Sequence, residues 1–213
     1  MLAIDQDLYQ FSTYIEPINL SFHQYLLLNE EPLLVHTGNV QQAISLIPQL
    51  KVILKDKSLK YIFISHFEAD ECGGLSRIYE HYPQAKVICS EVTARQLSGF
   101  GLITNVMIKK PGDTLKIGAY ELEFFGYPSE MHLWEGLLIM ETQRKIFFSS
   151  DLMIRLGEAS GTIVESNWQT EINNIRPEQV PSSELRVQLQ QTLSQLNPKF
   201  VATGHGPCLK IVK

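Results

Sequence analysis

Cysteine is scarce in this chain, and long apolar runs are missing altogether. The three cysteines, at 72, 89 and 208, are odd in number and form no C-x-x-C pair. This argues against a disulfide framework and for a reducing, cytoplasmic setting. Short apolar runs such as Leu26–Leu28 and Leu137–Met140 fall far below the roughly 20 residues that a membrane span needs. The opening residues Met1–Asp7 carry acids where a secretory signal carries positive charge. Basic residues are not in excess either: 18 Lys and Arg stand against 23 Asp and Glu, a net charge of −5, which speaks against coating a nucleic acid. No linker, low-complexity segment, repeat or glycine-rich phosphate loop interrupts the chain. What is present, 44% hydrophobic and 19% charged residues over 213 positions, suits a single domain, 1–213, with a sizeable core.

Turn residues divide the chain into elements. Leu20–Leu28 and Leu33–Val35 flank Asn29–Pro32 and predict an opening hairpin. Val40, Ala43, Ile44 and Ile47 predict a helix over 40–47, with Pro48 ending it. Strands are expected at Tyr61–Ile64 and Val87–Cys89, and helices at Gly73–Tyr82 and Glu91–Leu97. The chain then turns β-rich, with strands predicted at 105–108, 114–117, 121–125, 136–141 and 145–148. Residues 152–180 show weak periodicity and read as a long excursion, either a lid or a contact between subunits. A helix over Ser183–Leu196 and a strand at Phe200–Ala202 close the pattern. Strands with helices in both halves imply an α/β protein of four layers, two sheets flanked by helices.

The chemistry gathers behind strands. Ser65–Asp70, Pro128–His132, Ser149–Asp151 and Thr203–His205 each follow a predicted strand, where α/β proteins collect site residues from distant parts of the chain. His66, Glu68 and Asp70 stand at alternate positions, so an extended chain would point all three one way. An imidazole with two carboxylates suits a borderline or hard divalent cation. Taken singly, each piece has an ordinary reading: a solvated loop, a surface His132, an Asp151 capping a turn, an exposed His205 tip. Taken together and in this order, they predict one shared metal site. Cys72 reads as a small buried hydrophobe sooner than a redox thiol, and Cys89 and Cys208 as packing residues. Nothing recommends His23 or His81 as ligands. Trp134 and Trp168 are core aromatics or pocket walls.

The order H-x-E-x-D, then H, then D, then G-H-G-P resembles the metallo-β-lactamase superfamily, whose fold is a four-layer αββα sandwich. Its zinc hydrolases carry H-x-H-x-D-H where this chain has His66-Phe-Glu68-Ala-Asp70-Glu71. Glutamate at the second ligand position resembles the flavodiiron branch and the related oxygen-binding diiron proteins. Glu30–Gly38, Met131–Trp134 and Phe147–Asp151 extend the resemblance from about residue 20 to residue 207. It implies one iron on His66, Glu68 and His132, a second on Asp70 and His205, and Asp151 bridging both. Zinc and manganese are the other metals to weigh, and carboxylate in place of imidazole favours iron or manganese in relative terms.

Two departures stand out. Glu71 occupies the place of a family histidine; it either joins the second ion or turns away and leaves that site weak or empty. His36-Thr37-Gly38 replaces Asp-Thr-Gly, whose aspartate braces the ligands from behind; His36 either takes over that duty or is a plain strand-end histidine. The resemblance implies a dinuclear protein that binds or reduces dioxygen or nitric oxide, as sensor or scavenger. Flavodiiron proteins add a flavodoxin-like domain for which 213 residues leave no room, so electrons are expected from an external donor. Two alternatives remain open: a hydrolase using a metal-bound hydroxide, and a degenerate binding module with one metal site lost. No nucleic-acid or membrane partner is expected, and a homodimer stays open.

Overall fold

The computed structural model describes residues 2–102, 105–128 and 136–212. Two seven-stranded sheets are stacked face to face. The first runs in chain order: β1 (Leu2–Asp5), β2 (Leu8–Ile15), β3 (Leu20–Leu27), β4 (Leu33–Val35), β5 (Tyr61–Phe63), β6 (Lys86–Cys89) and β7 (Val106–Ile108). Its first four strands pair antiparallel, and β4 through β7 pair parallel. The second is built from β8 (Thr114–Ile117), β9 (Tyr120–Tyr127), β10 (Gly136–Glu141), β11 (Ile146–Ser150), β12 (Ile163–Ser166), β13 (Phe200–Thr203) and β14 (Cys208–Ile211). They lie in the order β12-β14-β13-β11-β10-β9-β8. Helices α1 (Val40–Leu54), α2 (Ala69–Cys72), α3 (Leu75–His81) and α4 (Glu91–Gly99) belong to the first half, α5 (Trp168–Asn173) and α6 (Ser183–Ser194) to the second.

Strand side chains alternate between faces, and that alternation sorts the apolar residues into three cores. Leu33 and Val35 of β4, Phe63 of β5 and Ile88 of β6 point between the sheets, where they meet Leu137, Ile139 and Phe148. Their neighbours Leu34, Ile62 and Val87 point outward onto α1, α3 and α4. In the second sheet Leu138, Phe147 and Val201 face Trp168 of α5 and Leu189 and Leu193 of α6. Both faces of the central strands are therefore apolar, which is why they read as continuous runs. Each fully buried Leu or Phe contributes on the order of 2 kcal/mol. The result is the four-layer αββα sandwich expected from the sequence.

Several boundaries differ from that expectation. Pro48 does not end α1, which continues to Leu54. Pro48 lies on the exposed side of the helix, so the carbonyl it frees faces water, while Leu50 and Leu54 extend the buried stripe of Ala43, Leu46 and Ile47. The apolar pattern predicts no strand before residue 20, yet β2 pairs with β3 along its whole length, from Leu8 opposite Leu27 to Ile15 opposite Leu20. Its polar residues hide it: Gln10 is buried and donates to Tyr25 Oη at 3.0 Å. Residues 152–180 contain β12 and α5, and Trp168, Ile172, Ile175 and Val180 are core residues of the outer layer. Trp168 donates its indole N–H to the carbonyl of Leu193 at 3.0 Å, which makes it a packing residue. Among the described residues no helix is long and apolar enough to cross a membrane.

Candidate metal centre

The site lies where β4, β5, β11 and β13 end. Hydrogen bonds stitch the two sheets together there. Ser65 Oγ, after β5, lies 2.8 Å from Ser150 Oγ at the end of β11. Tyr25 Oη donates to the Thr203 carbonyl at 2.8 Å, and His23 N–H to the Gly204 carbonyl at 3.0 Å. Beyond Ile64 the chain does not stay extended through residue 70, as the alternate-residue argument assumed. Glu68 is extended, with φ −138° and ψ 162°, but it is the N-cap of α2. Asp70 and Glu71 are consecutive helical residues, which brings both to the site. Thr37, after β4, anchors this turn by donating its N–H and hydroxyl to the Glu71 carbonyl at 2.8 and 3.2 Å.

Asp151 arrives by a different device. The β11–β13 register slips between Phe148 and Ser150, and Ser150 takes a left-handed φ of 48°. Such bulges re-aim side chains beside functional sites. The following residue, Asp151, faces both histidines. Gly204 makes the close approach of β13 to β11 feasible: a Cβ there would lie 2.8 Å from the Ser150 carbonyl oxygen.

His66 Nε2 lies 3.0 Å from Glu68 Oε2, 3.3 Å from Asp151 Oδ2 and 3.7 Å from Glu71 Oε2. His205 Nε2 lies 3.3 Å from Asp151 Oδ1 and 3.4 Å from Asp70 Oδ2. The other ring nitrogens are engaged behind the site. His205 Nδ1 faces the Ser21 carbonyl at 3.1 Å, which accepts an N–H and leaves Nε2 as the lone-pair nitrogen in the neutral ring. His66 Nδ1 is 2.9 Å from Ser65 Oγ. Backing of this kind fixes the tautomer of a ligating histidine. Phe22 and Tyr127 pack edge-on against His205 and His66.

Electrostatics follow from this crowding. Burial opposes charge on both histidines, but the acids outweigh it. His205 is raised to about 10 by its contacts with Asp151 and Asp70, and His66 is raised well above its ordinary range by Glu71, Asp151 and Glu68. Burial also opposes ionisation of Asp151, yet His205 and His66 hold it well below the usual carboxylate range. Asp70 is lowered for the same reason, against burial, by His205. Glu71 is pushed far up by burial, reinforced by the charges of Asp151 and Asp70.

A divalent cation fits this donor set. Glu71 Oε2 and Asp151 Oδ1 are buried without a hydrogen-bond partner; the 3.3 Å approach of Asp151 Oδ1 to His205 is an ion pair out of line for a hydrogen bond. A buried carboxylate oxygen without a donor calls for a cation. Donor atoms of His66, Glu71 and Asp151 lie within 4.8 Å of one another, and so do those of Asp70, Glu71 and His205. The structure thus brings together six of the seven residues singled out in the sequence. The seventh, His132, lies outside the described residues, as does Trp134.

The remaining candidates have other places. His23 is saturated, with Nε2 2.7 Å from the Gly206 carbonyl and Nδ1 2.8 Å from Ser12 Oγ. His36 is buried below the site in a left-handed conformation, φ 62°. Burial, with the charge of His66, lowers it to about 3, and its Nε2 has no hydrogen-bond partner. Cys72 is a buried free thiol 3.1 Å from the Glu68 carbonyl, raised to about 12 by burial and by Glu71; Cys89 and Cys208 are buried free thiols as well. Sequence reasoning passed over Ser65 and Ser150, although each immediately precedes a ligand candidate.

The family model described as "ODP family beta lactamase" matches residues 20–206. The flavo-diiron protein FprA2 of Clostridium acetobutylicum is 27% identical over 203 residues, which is 89% of this chain and 49% of that protein. The anaerobic nitric oxide reductase flavorubredoxin of Vibrio vulnificus is 26% identical over 133 residues, 62% of this chain and 27% of its own length. The chain thus spans half or less of the curated relatives it matches. Among solved structures, rubredoxin oxygen:oxidoreductase from Desulfovibrio gigas aligns with a TM-score of 0.80 at 20% identity, covering 98% of this chain and 57% of that one. The flavodiiron protein from Giardia intestinalis aligns with a TM-score of 0.74 at 18% identity, covering 97% and 55%. At these identities the structural likeness shows a shared fold.

Proposed function

The chain belongs to the ODP family of β-lactamase-like proteins and has the metallo-β-lactamase fold, and from that premise we propose that it is a dinuclear iron protein that binds or reduces dioxygen or nitric oxide. The observation that carries this reading is the acid-rich donor set: Glu68 contacts His66, and Asp151 stands between His66 and His205. Oxygen donors suit iron and manganese better, in relative terms, than the imidazoles favoured by zinc. The names of relatives, a flavo-diiron protein, a nitric oxide reductase and an oxygen oxidoreductase, support the same chemistry.

In this reading His66, Glu68 and His132 hold one ion, Asp70 and His205 the other, and Asp151 lies between them. Two ferrous ions would supply the electrons that a diatomic ligand takes up on binding. Ser65 and the Ser21 carbonyl orient the two imidazoles so that their Nε2 atoms are presented as donors. Phe22 and Tyr127 place aromatic edges against those imidazoles and limit water there. Repeated reduction requires electrons from a donor outside this sandwich.

The test is anaerobic purification from cells grown without added zinc, with metal analysis and visible spectra before and after exposure to air. Near two irons per chain and an oxygen-dependent absorption change are expected. Absence of iron together with an unchanged spectrum overturns the proposal.

A further inference from the structure

We propose that Glu71 is a second carboxylate shared by both metal positions, so that four carboxylates balance two divalent cations in a charge-neutral, oxygen-rich centre. This rests on the dinuclear reading above. Glu71 is the one residue common to the two groups of mutually close donors, His66–Glu71–Asp151 and Asp70–Glu71–His205. Its side chain is almost wholly inaccessible, with the residue 1% exposed, and Oε2 lies among His66 and the acids with no hydrogen-bond partner. It is held there from behind, because Thr37 fixes its backbone carbonyl. A bound cation would keep Glu71 ionised and give Oε2 the positive partner it lacks.

The charge count agrees. With cations bound and all four ionised, Glu68, Asp70, Glu71 and Asp151 would carry four negative charges, equal to the positive charge of two divalent ions. Beside the three histidines of the dinuclear reading, His66, His132 and His205, four carboxylates make a donor set with one imidazole more than the four-carboxylate, two-histidine inventory of di-iron and di-manganese centres built in helical bundles. Such a centre favours hard ions.

The test uses the full chain, stripped of metal and titrated anaerobically with Mn(II) and separately with Zn(II), with bound metal counted after dialysis and Mn(II) spectra recorded by electron paramagnetic resonance. The wild type is expected to take two Mn(II) as a spin-coupled pair. Glu71→Gln is expected to weaken both ions at least ~10-fold, and Glu71→His to raise the preference for zinc over manganese by a similar factor. Circular dichroism checks that each variant folds; if Glu71→Gln does not, Glu71→Asp, which keeps the charge on a shorter arm, is expected to weaken both ions to a lesser degree. Loss of only one ion makes Glu71 a ligand to a single metal and overturns the inference. So does unchanged binding of both in a folded variant. If the wild type itself takes up no pair of ions, the dinuclear reading fails first, before any variant is compared.

Discussion

Ser65 Oγ and Ser150 Oγ lie 2.8 Å apart, 85 positions from each other in sequence, and join the end of one sheet to the end of the other directly behind His66. The same Ser65 hydroxyl is 2.9 Å from His66 Nδ1. One small side chain therefore both fastens the sheets and sets the angle of a candidate ligand. Ser65→Ala is expected to cost about 1–3 kcal/mol of stability, since it leaves a buried partner unpaired. It should also weaken metal binding by about 10–100-fold. Urea melts and metal titration read the two effects, and unchanged metal affinity would falsify the orienting role.

His23 offers a pH prediction. Burial lowers it from 6.5 to about 4 in the fold, so the neutral form is favoured in the native state. Its contribution to stability is complete above pH 6.5 and is lost as pH falls from there toward 4. The full span corresponds to about 3 kcal/mol, with about 2 kcal/mol lost between pH 7.5 and 5. In chelator, the drop in unfolding free energy over that interval should be smaller by this amount in His23→Gln than in wild type. Equal drops would show that His23 does not carry it.

Pro48 stands in mid-helix and denies Ile44 its intrahelical partner. An interior proline costs about 3 kcal/mol, offset in part by the stiffness it lends the unfolded chain. Pro48→Ala should stabilise the protein by about 1–2 kcal/mol in a denaturant titration. A loss of stability would mean that the helix needs the proline at this position.

Metal removal should be visible in stability as well as in spectra. Glu71 Oε2 and Asp151 Oδ1 are buried without hydrogen-bond partners, so a cation that binds only the folded state stabilises it. At a hundredfold excess over Kd the gain is about 3 kcal/mol, or several degrees in melting temperature for a chain of this size. Chelator should lower Tm by that amount, and Mn(II) or anaerobic Fe(II) should restore it. A melting curve indifferent to both would count against a metal centre.

The layers were legible early because burial patterns are local: Leu33-Leu34-Val35 and Phe147-Phe148 are apolar on both faces, and two-faced strands need covers on both sides. The donor residues were legible for a similar reason, since His66, Glu68, Asp151 and His205 each follow such a strand. β2 escaped because Gln10 and Ser12 interrupt its apolar pattern while Tyr25 and His23 across the ladder satisfy them. α1 was cut short because Pro48 punctuates a sequence even where its lost hydrogen bond faces water.

The sequence by itself determined which side chains are available as donors and that they follow strands, because residue type and period-two alternation are properties of neighbours along the chain. Only the tertiary structure decided how they combine. His23 and His205 are both buried imidazoles, yet one, in the middle of β3, is saturated by Ser12 and Gly206 while the other, just past β13 and braced by the Ser21 carbonyl 184 positions away, keeps Nε2 for Asp70 and Asp151. Glu71 likewise depends on one helical turn, and Asp151 on one bulge. Hydrogen bonds across the sheets set those orientations, and their partners are distant in sequence.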